Sequence, residues 1–336
     1  MTTTHRDACP TVSVVLPALN ERRWIRDCLG SLLAQDYGNV IEILVVDGGS
    51  TDGTRDIAGH LDPLIRVVDN PQVTAAAAMN IGIAESKGEV VCRIDAHAIF
   101  APDYVRRCVE VLLETGADNV GGLMRPVGTT SFGRAVAAAT TSRFGVGPGR
   151  FHYAGQRQDV DTVWLGCWWR TTLDEVGGYD EESLQWGAED QELNLRLRQR
   201  GGRVVLDPGI RSSYFPRQTP SALARQYFNY GLDKASTLRK HRTLPSWRPL
   251  APAALVASTV AAGLFGRGWK RVAIPAVHLA ACAAAAVKPA RDPGVAPHRL
   301  VAAFAICHWS HGAGFWAGVG RIVRGAGFDT RPQGHR

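Results

Sequence analysis

The chain predicts an α/β fold, a twisted and mostly parallel sheet with helices on both faces, followed by an apolar helical region. Three observations carry that expectation. Short β-branched and apolar runs alternate with helical segments from residue 11 to about 215. Two of those runs end directly at an acidic residue, Asp47 and Asp95. Residues 250–323 then change composition to Ala, Gly, Val and Leu, with basic residues clustered at the edges of the apolar stretches.

Taken in order, 11–16 reads as a strand stopped by Pro17, and 21–35 as a helix with Ile25, Leu29, Leu32 and Leu33 on one face. Strands follow at 41–46 and 65–68, then a helix at 74–84 with Thr74 as its cap. A strand at 90–94 and a helix from Pro102 to Thr115 complete the alternation, and such alternation implies parallel pairing. From Asn119 the rhythm loosens, and Gly121, Gly122, Gly145, Gly147 and Gly149 read as loops. The pattern resumes with a strand at 160–165, a helix at 188–200 ended by Gly201-Gly202, and a strand at 204–206. Residues 220–237 form an amphipathic helix with Leu223, Tyr227 and Tyr230 near one face. The organisation is therefore a polar tail (1–10), an α/β domain (11–215), an amphipathic interfacial segment (216–249), an apolar helical membrane-associated region (250–323) and a basic tail (324–336).

A net charge of +7 suits nucleic acid, an anionic membrane or a nucleotide diphosphate. No nucleic-acid motif is present, and the basic residues flank apolar stretches as they do at a lipid surface. The seven cysteines form no C-x-x-C, which favours reduced thiols and a cytoplasmic domain. Apolar stretches at 250–266 and 272–287 are short for a span of about 20 residues, and the third, 300–320, carries His308 and His311. Gly314 and Gly318 form a G-x-x-x-G that lets helices approach closely. Basic clusters follow all three stretches, so the positive-inside rule cannot be met if every stretch spans; some then lie in the interface.

The motifs Val15-Leu16-Pro17-Ala18-Leu19-Asn20-Glu21, Val46-Asp47-Gly48-Gly49-Ser50-Thr51-Asp52-Gly53-Thr54, Asn80-Ile81-Gly82, Asp95-Ala96-His97 and Glu189-Asp190 resemble, in that order, those of family 2 inverting glycosyltransferases of the GT-A fold. The match spans roughly residues 11–240. Arg93 to Ala98, Phe144-Gly145-Val146-Gly147, Asp161-Thr162-Val163 and Gly166-Cys167-Trp168, and Arg225-Gln226-Tyr227-Phe228 resemble more narrowly the succinoglycan-synthesis type of bacterial glucosyltransferase. The resemblance implies transfer of a hexose, glucose first, from a UDP-sugar to a polyprenyl-linked saccharide, with a β linkage, at the cytoplasmic face of the cell membrane.

It also implies roles. Pro17, Asn20, Glu21, Asp47, Gly48, Gly49, Asn80 and Asp95 would meet the nucleotide-sugar, with Asp47 on the base; turn and helix-cap duties explain Asn20, Glu21, Gly48 and Gly49 equally well. Asp95 and His97 would hold a divalent metal. An imidazole in place of a second carboxylate favours Mn²⁺ over Mg²⁺, although His97 also fits as a plain loop histidine. Asp190 would be the catalytic base, deprotonating the acceptor hydroxyl; Glu189 and Asp190 would also complement a helix dipole. Trp164, Trp168, Trp186 and Glu189 are candidates for the acceptor or sugar, with core packing the competing role for any one tryptophan. Two departures stand out: 74–80 has no basic residue for the diphosphate, leaving Arg93 or a later one, and no Gln-x-x-Arg-Trp follows the base, which favours single-sugar addition. Competing functions are a non-catalytic nucleotide-sugar-binding membrane protein on the same fold, and an oxidoreductase suggested by Gly312-Ala313-Gly314-Phe315-Trp316-Ala317, a G-x-G-x-x-A without a preceding strand.

Overall fold

A computed structural model describes residues 9–147, 149–182, 189–242, 250–289 and 294–325. In chain order the elements are β1 (Val12–Ala18), α1 (Ile25–Leu33), β2 (Val40–Asp47), α2 (Thr54–Gly59), β3 (Ile65–Asp69), α3 (Ala75–Glu85), β4 (Val90–Arg93), β5 (Ala98–Phe100), α4 (Tyr104–Thr115) and β6 (Asn119–Pro126). Then come α5 (Ser131–Thr140), α6 (Arg143–Val146), β7 (Gln158–Asp159), β8 (Trp164–Trp169), α7 (Arg170–Val176), α8 (Glu189–Gln199), β9 (Val204–Tyr214), α9 (Pro220–His241), α10 (Leu250–Phe265), α11 (Lys270–Ala286) and α12 (Pro297–Val323). The chain divides into two compact units, one built from the described residues up to 125 with 150–181 and 189–215, the other from the described residues of 126–149 with Glu182 and those beyond 215.

The first unit is organised on a nine-stranded sheet of order β3-β2-β1-β4-β8-β6-β9-β5, with β7 on β9. Along β1, Val12, Val14 and Leu16 enter one apolar cluster with α1 and α4, while Val15 enters another with Leu44, Val46 and the Ala76–Met79 face of α3. Period-2 alternation with both faces covered is why these strands read as continuous apolar runs. Thr74 caps α3 as expected, its hydroxyl accepting the Ala77 amide.

The expectation of a mostly parallel sheet needs correction. β1 pairs in parallel with β2 and β4, and β2 with β3; β8 joins β4 antiparallel, β6 joins β8 antiparallel, and β5 and β7 both join β9 antiparallel. Gly121 and Gly122 lie inside strand β6 and not in a loop. A Cβ at Gly121 would come within 2.7 Å of the Val163 Cβ, and one at Gly122 would collide with the Ile210 carbonyl, so close backbone approach, and not a turn, demands glycine here.

The second unit is helical. Ala135 and Val136 of α5, Leu223 of α9 and Leu300, Phe304 and Cys307 of α12 share one apolar cluster. Glycines set its helix spacing: a Cβ at Gly314 would strike the Phe228 carbonyl, and one at Gly318 would lie 2.7 Å from the Ala235 Cβ. The G-x-G-x-x-A run is therefore interior to α12, where it forms no strand-turn-helix cradle.

No described helix is long and apolar enough to cross a membrane, so the expected transmembrane helix within 250–323 is not found there. The 16 residues of α10 and 17 of α11 rise only about 24–26 Å. The 27 residues of α12 are long enough but include Arg299, His308, Ser310 and His311.

Candidate active site

The site residues of the first unit gather where β1, β2 and β4 end. Pro17 closes β1, and the turn after it is stitched to the turn after β2: Asn20 donates its amide to Ser50 Oγ at 2.9 Å and accepts the Thr51 amide at 2.9 Å, while the Glu21 amide donates to Thr54 Oγ1 at 2.8 Å. Asn20 holds a left-handed φ of 56°, a conformation its short polar side chain tolerates. Asp52 accepts the Thr54 amide at 3.0 Å just before α2.

Asp47 sits at the last position of β2, 2 % exposed. Its Oδ2 accepts the amides of Gly49 and Ser50, both at 3.0 Å. Its Oδ1 is buried with no hydrogen-bond partner among the described residues. A buried carboxylate oxygen left unpaired is costly, and a ligand N–H is what would relieve it. A Cβ at Gly48 would sit 3.5 Å from Leu19 and Val73, and Gly49 takes a φ of 85°. The glycine pair thus keeps the backbone thin beside that orphaned acceptor.

At the end of β4 stands Arg93, 6 % exposed, and it gathers three carboxylates. Nη1 pairs with Asp190, Nη2 with Glu189 at 3.0 Å, and Nε with Asp95 at 3.5 Å. Tyr179 donates its hydroxyl to the same Asp190 oxygen at 3.1 Å, and its ring centroid lies 5.9 Å from the guanidinium. One guanidinium cannot balance three carboxylates, so the cluster keeps an excess of negative charge. Burial, opposed by Arg93 and reinforced by Glu189 and Asp95, pushes the Asp190 carboxyl up to about 7. Asp190 lies in the first turn of α8, where the helix dipole also favours its charged form.

His97 faces Glu21, its Nδ1 3.2 Å from Oε1. An ionised carboxylate only accepts, so Nδ1 carries the proton and Nε2 is the basic nitrogen, the tautomer a metal-binding imidazole needs. Asp95 and His97 present hard oxygen and borderline nitrogen, a donor set that fits a divalent ion such as Mn²⁺.

Other expected residues fall elsewhere. Asn80 spends its amide on the segment carrying Tyr179, donating to the Tyr179 carbonyl at 2.9 Å and to Glu181 at 2.6 Å and accepting the Tyr179 amide at 2.7 Å. Trp168 is a correction: it is 0 % exposed and packs edge-on to Tyr179, leaving no face for a sugar. Trp164 is half-buried against Tyr214, and Trp186 lies outside the described residues. Glu189 is buried on Arg93. Arg93, considered for the diphosphate, is committed to carboxylates instead. Tyr179 was missed; nothing in the spacing of Gly177-Gly178-Tyr179 signals a loop hydroxyl aimed at a residue of α8.

Comparison with known proteins defines the class. Residues 13–169 match the family described as glycosyl transferase family 2, and 165–216 match the N-terminal domain of galactosyltransferase. The chain belongs to glycosyltransferase family 2. It is similar to the succinoglycan biosynthesis protein ExoA of Rhizobium meliloti, 35 % identical over 320 residues that cover 90 % of this chain and 93 % of that one. A dolichyl N-acetyl-alpha-D-glucosaminyl phosphate 3-beta-D-2,3-diacetamido-2,3-dideoxy-beta-D-glucuronosyltransferase of Methanococcus voltae is 28 % identical over 240 residues, 68 % of this chain and 74 % of that one. The fold is that of the mannosyltransferase PcManGT from Pyrobaculum calidifontis, solved with GDP-Man and Mn²⁺: TM-score 0.58 at 21 % identity, over 89 % of this chain and 87 % of that one. This is the GT-A arrangement.

Proposed function

We propose that this protein is an inverting glycosyltransferase that moves a hexose, glucose first, from a UDP-sugar to a lipid-linked saccharide with a β linkage, in polysaccharide or glycoconjugate synthesis. The observation that carries this reading is the Arg93 cluster, because it holds Asp190, the base of the family's pattern, beside Asp95. Asp190 takes the proton of the acceptor hydroxyl as that oxygen attacks, and a carboxyl near 7 is matched to that task at neutral pH. Tyr179 and Arg93 orient the base from two directions. Asp47 receives an N–H of the nucleobase on its unpaired Oδ1.

Asp95 and His97 would hold a divalent metal, Mn²⁺ before Mg²⁺, whose charge offsets that of the departing nucleoside diphosphate. Glu21 holds His97 in the required tautomer. The similarity to the dolichyl-phosphate-linked transferase supports a lipid-linked acceptor, here polyprenyl. The second unit supports membrane association at the cytoplasmic face: the turn between α10 and α11 exposes Phe265 and Trp269 amid Arg267, Lys270 and Arg271, an aromatic and basic mixture suited to an anionic interface without spanning it.

The test is a panel of UDP- and GDP-sugars supplied with Mn²⁺ and membrane lipid extract. UDP release with labelled hexose appearing in the lipid fraction as the β anomer is the expected result. Release from GDP-sugars alone reassigns the donor, and retention of the donor's anomeric configuration rules out the single-displacement role of Asp190.

A further inference from the structure

His278 and Cys282 of α11 and His308 of α12 form a donor cluster in the second unit that sugar transfer does not use. His278 and Cys282 are four residues apart on one helix, so their side chains meet on one face. His278 Nε2 lies 3.0 Å from His308 Nδ1, and Cys282 Sγ lies 3.7 Å from that same Nε2. All three donor atoms fall within 4.8 Å of one another. A tetrahedral zinc ion, with bonds of about 2.0 Å to nitrogen and about 2.3 Å to sulfur, separates its donors by roughly 3.3–3.6 Å. The observed spacings bracket that interval.

The surroundings orient the donors. His308 Nε2 is 2.9 Å from the Phe144 carbonyl oxygen. A carbonyl only accepts, so Nε2 carries the proton and Nδ1 turns its lone pair into the cluster. Burial lowers the proton affinity of both imidazoles and keeps them neutral, the ligating form. Cys282 is fully buried while both histidines are half-buried, which leaves an ion an approach. The other thiol cluster, Cys92, Cys108 and Cys167, is sealed at 0 % exposure and has no such approach. Two imidazoles and a sulfur, with no carboxylate, select a borderline-soft ion over Mg²⁺ or Mn²⁺.

We propose that His278, Cys282 and His308 form a binding site for zinc or a zinc-like divalent ion that fastens α11 to α12, with water as the fourth ligand. The proton inventory follows from the metal-free arrangement. There, Trp309 donates its indole N–H to His278 Nδ1 at 3.2 Å, so His278 Nε2 carries a proton directed at His308 Nδ1. Binding moves the His278 proton from Nε2 to Nδ1, gives up the Trp309 bond, and releases the Cys282 thiol proton to solvent. Burial holds that thiol up at about 11 without metal, so the ion itself must drive its loss.

The site stands independently of the transfer reaction and is tested without it. Full-length protein stripped by chelator is titrated with Co²⁺. The expected result is a sulfur-to-cobalt charge-transfer band with the visible bands of a tetrahedral ion, abolished by one equivalent of Zn²⁺ and indifferent to excess Mn²⁺. Cys282→Ser removes the charge-transfer band, and His308→Gln weakens zinc binding at least tenfold. Absence of the band from the wild-type protein overturns the proposal, as does a band that persists in Cys282→Ser. The wild-type spectrum decides the matter even if a variant fails to fold.

Discussion

The two units treat water in opposite ways. In the first, charge is taken out of water: Arg93, Glu189 and Asp47 are each 6 % exposed or less. In the second, apolar surface is left in water: Leu264, Phe265, Trp269 and Val272 around the α10–α11 turn are 69 %, 84 %, 73 % and 61 % exposed. Neither arrangement improves stability. A buried ion cluster is seldom better than an apolar replacement, and an exposed aromatic forgoes its burial energy. Under the proposed function, the two departures are where each unit would meet something else, a charged substrate in one case and an apolar surface in the other.

The largest expected effect breaks the first half of that comparison. Asp190→Asn should lower transfer by about 10²–10⁴-fold while leaving nucleotide affinity nearly unchanged, as measured by nucleoside diphosphate release and calorimetry. The pH dependence has a definite sign. As the proposed base, Asp190 acts as the carboxylate, and burial pushes its pKa up to about 7, so kcat/KM should climb as pH rises through 7 and level above it. A rate flat from pH 6 to 8 in the wild type would remove Asp190 as the base.

Next in size is Arg93→Met, which leaves Glu189 and Asp190 buried without their shared cation. The expected loss is about 3–5 kcal/mol of stability, read by urea unfolding of the full chain. Arg93→Lys should fall between, because an ammonium keeps the charge but cannot fork to three carboxylates. An Arg93→Met protein as stable as wild type would mean that the cluster is dispersed in solution.

What was legible in the sequence follows the same division. Strands β1, β2 and β4 were legible because burial on both faces makes them largely apolar runs, with Asp47 closing β2 and Asp95 two residues beyond β4. β6 was not, because Gly121 and Gly122 signal a loop locally while the reason for them, the Val163 and Ile210 neighbours, lies far along the chain. Asp47, Asp95 and Asp190 were legible as motifs. The Arg93–Asp190 pair was not, since 97 residues separate its members and no period connects them. Trp168 misled because a tryptophan's type does not reveal whether its face is covered. Helices α9 to α12 were placed within a few residues, but α5 and α6 were not, because Gly133, Gly145 and Gly147 read locally as loop residues.

A smaller effect sharpens the second half of the comparison. The Phe265→Ser, Trp269→Ser double variant should lose roughly 1.5–3 kcal/mol of membrane affinity per side chain, measured by co-sedimentation with vesicles containing anionic lipid. Equal sedimentation of wild type and variant would detach the α10–α11 turn from the membrane.

The smallest effect separates the apolar contribution from the electrostatic one. Arg267 and Lys270 flank Phe265 and Trp269, whereas Arg271 also ties the turn through its Nε to the Gly266 carbonyl at 3.0 Å, so only the first two are clean probes of charge. A basic side chain near an anionic leaflet is worth about 1 kcal/mol, and the attraction is screened within about 8 Å at physiological salt. Arg267→Gln and Lys270→Gln should each weaken binding to anionic vesicles roughly fivefold at low salt, with the difference fading as salt is raised. Neutral vesicles should bind wild type and both variants alike, because the aromatic contribution is untouched. A loss of equal size on neutral and anionic vesicles would show that the substitutions disturb the fold of the turn, and the basic residues would then have no part in choosing the surface.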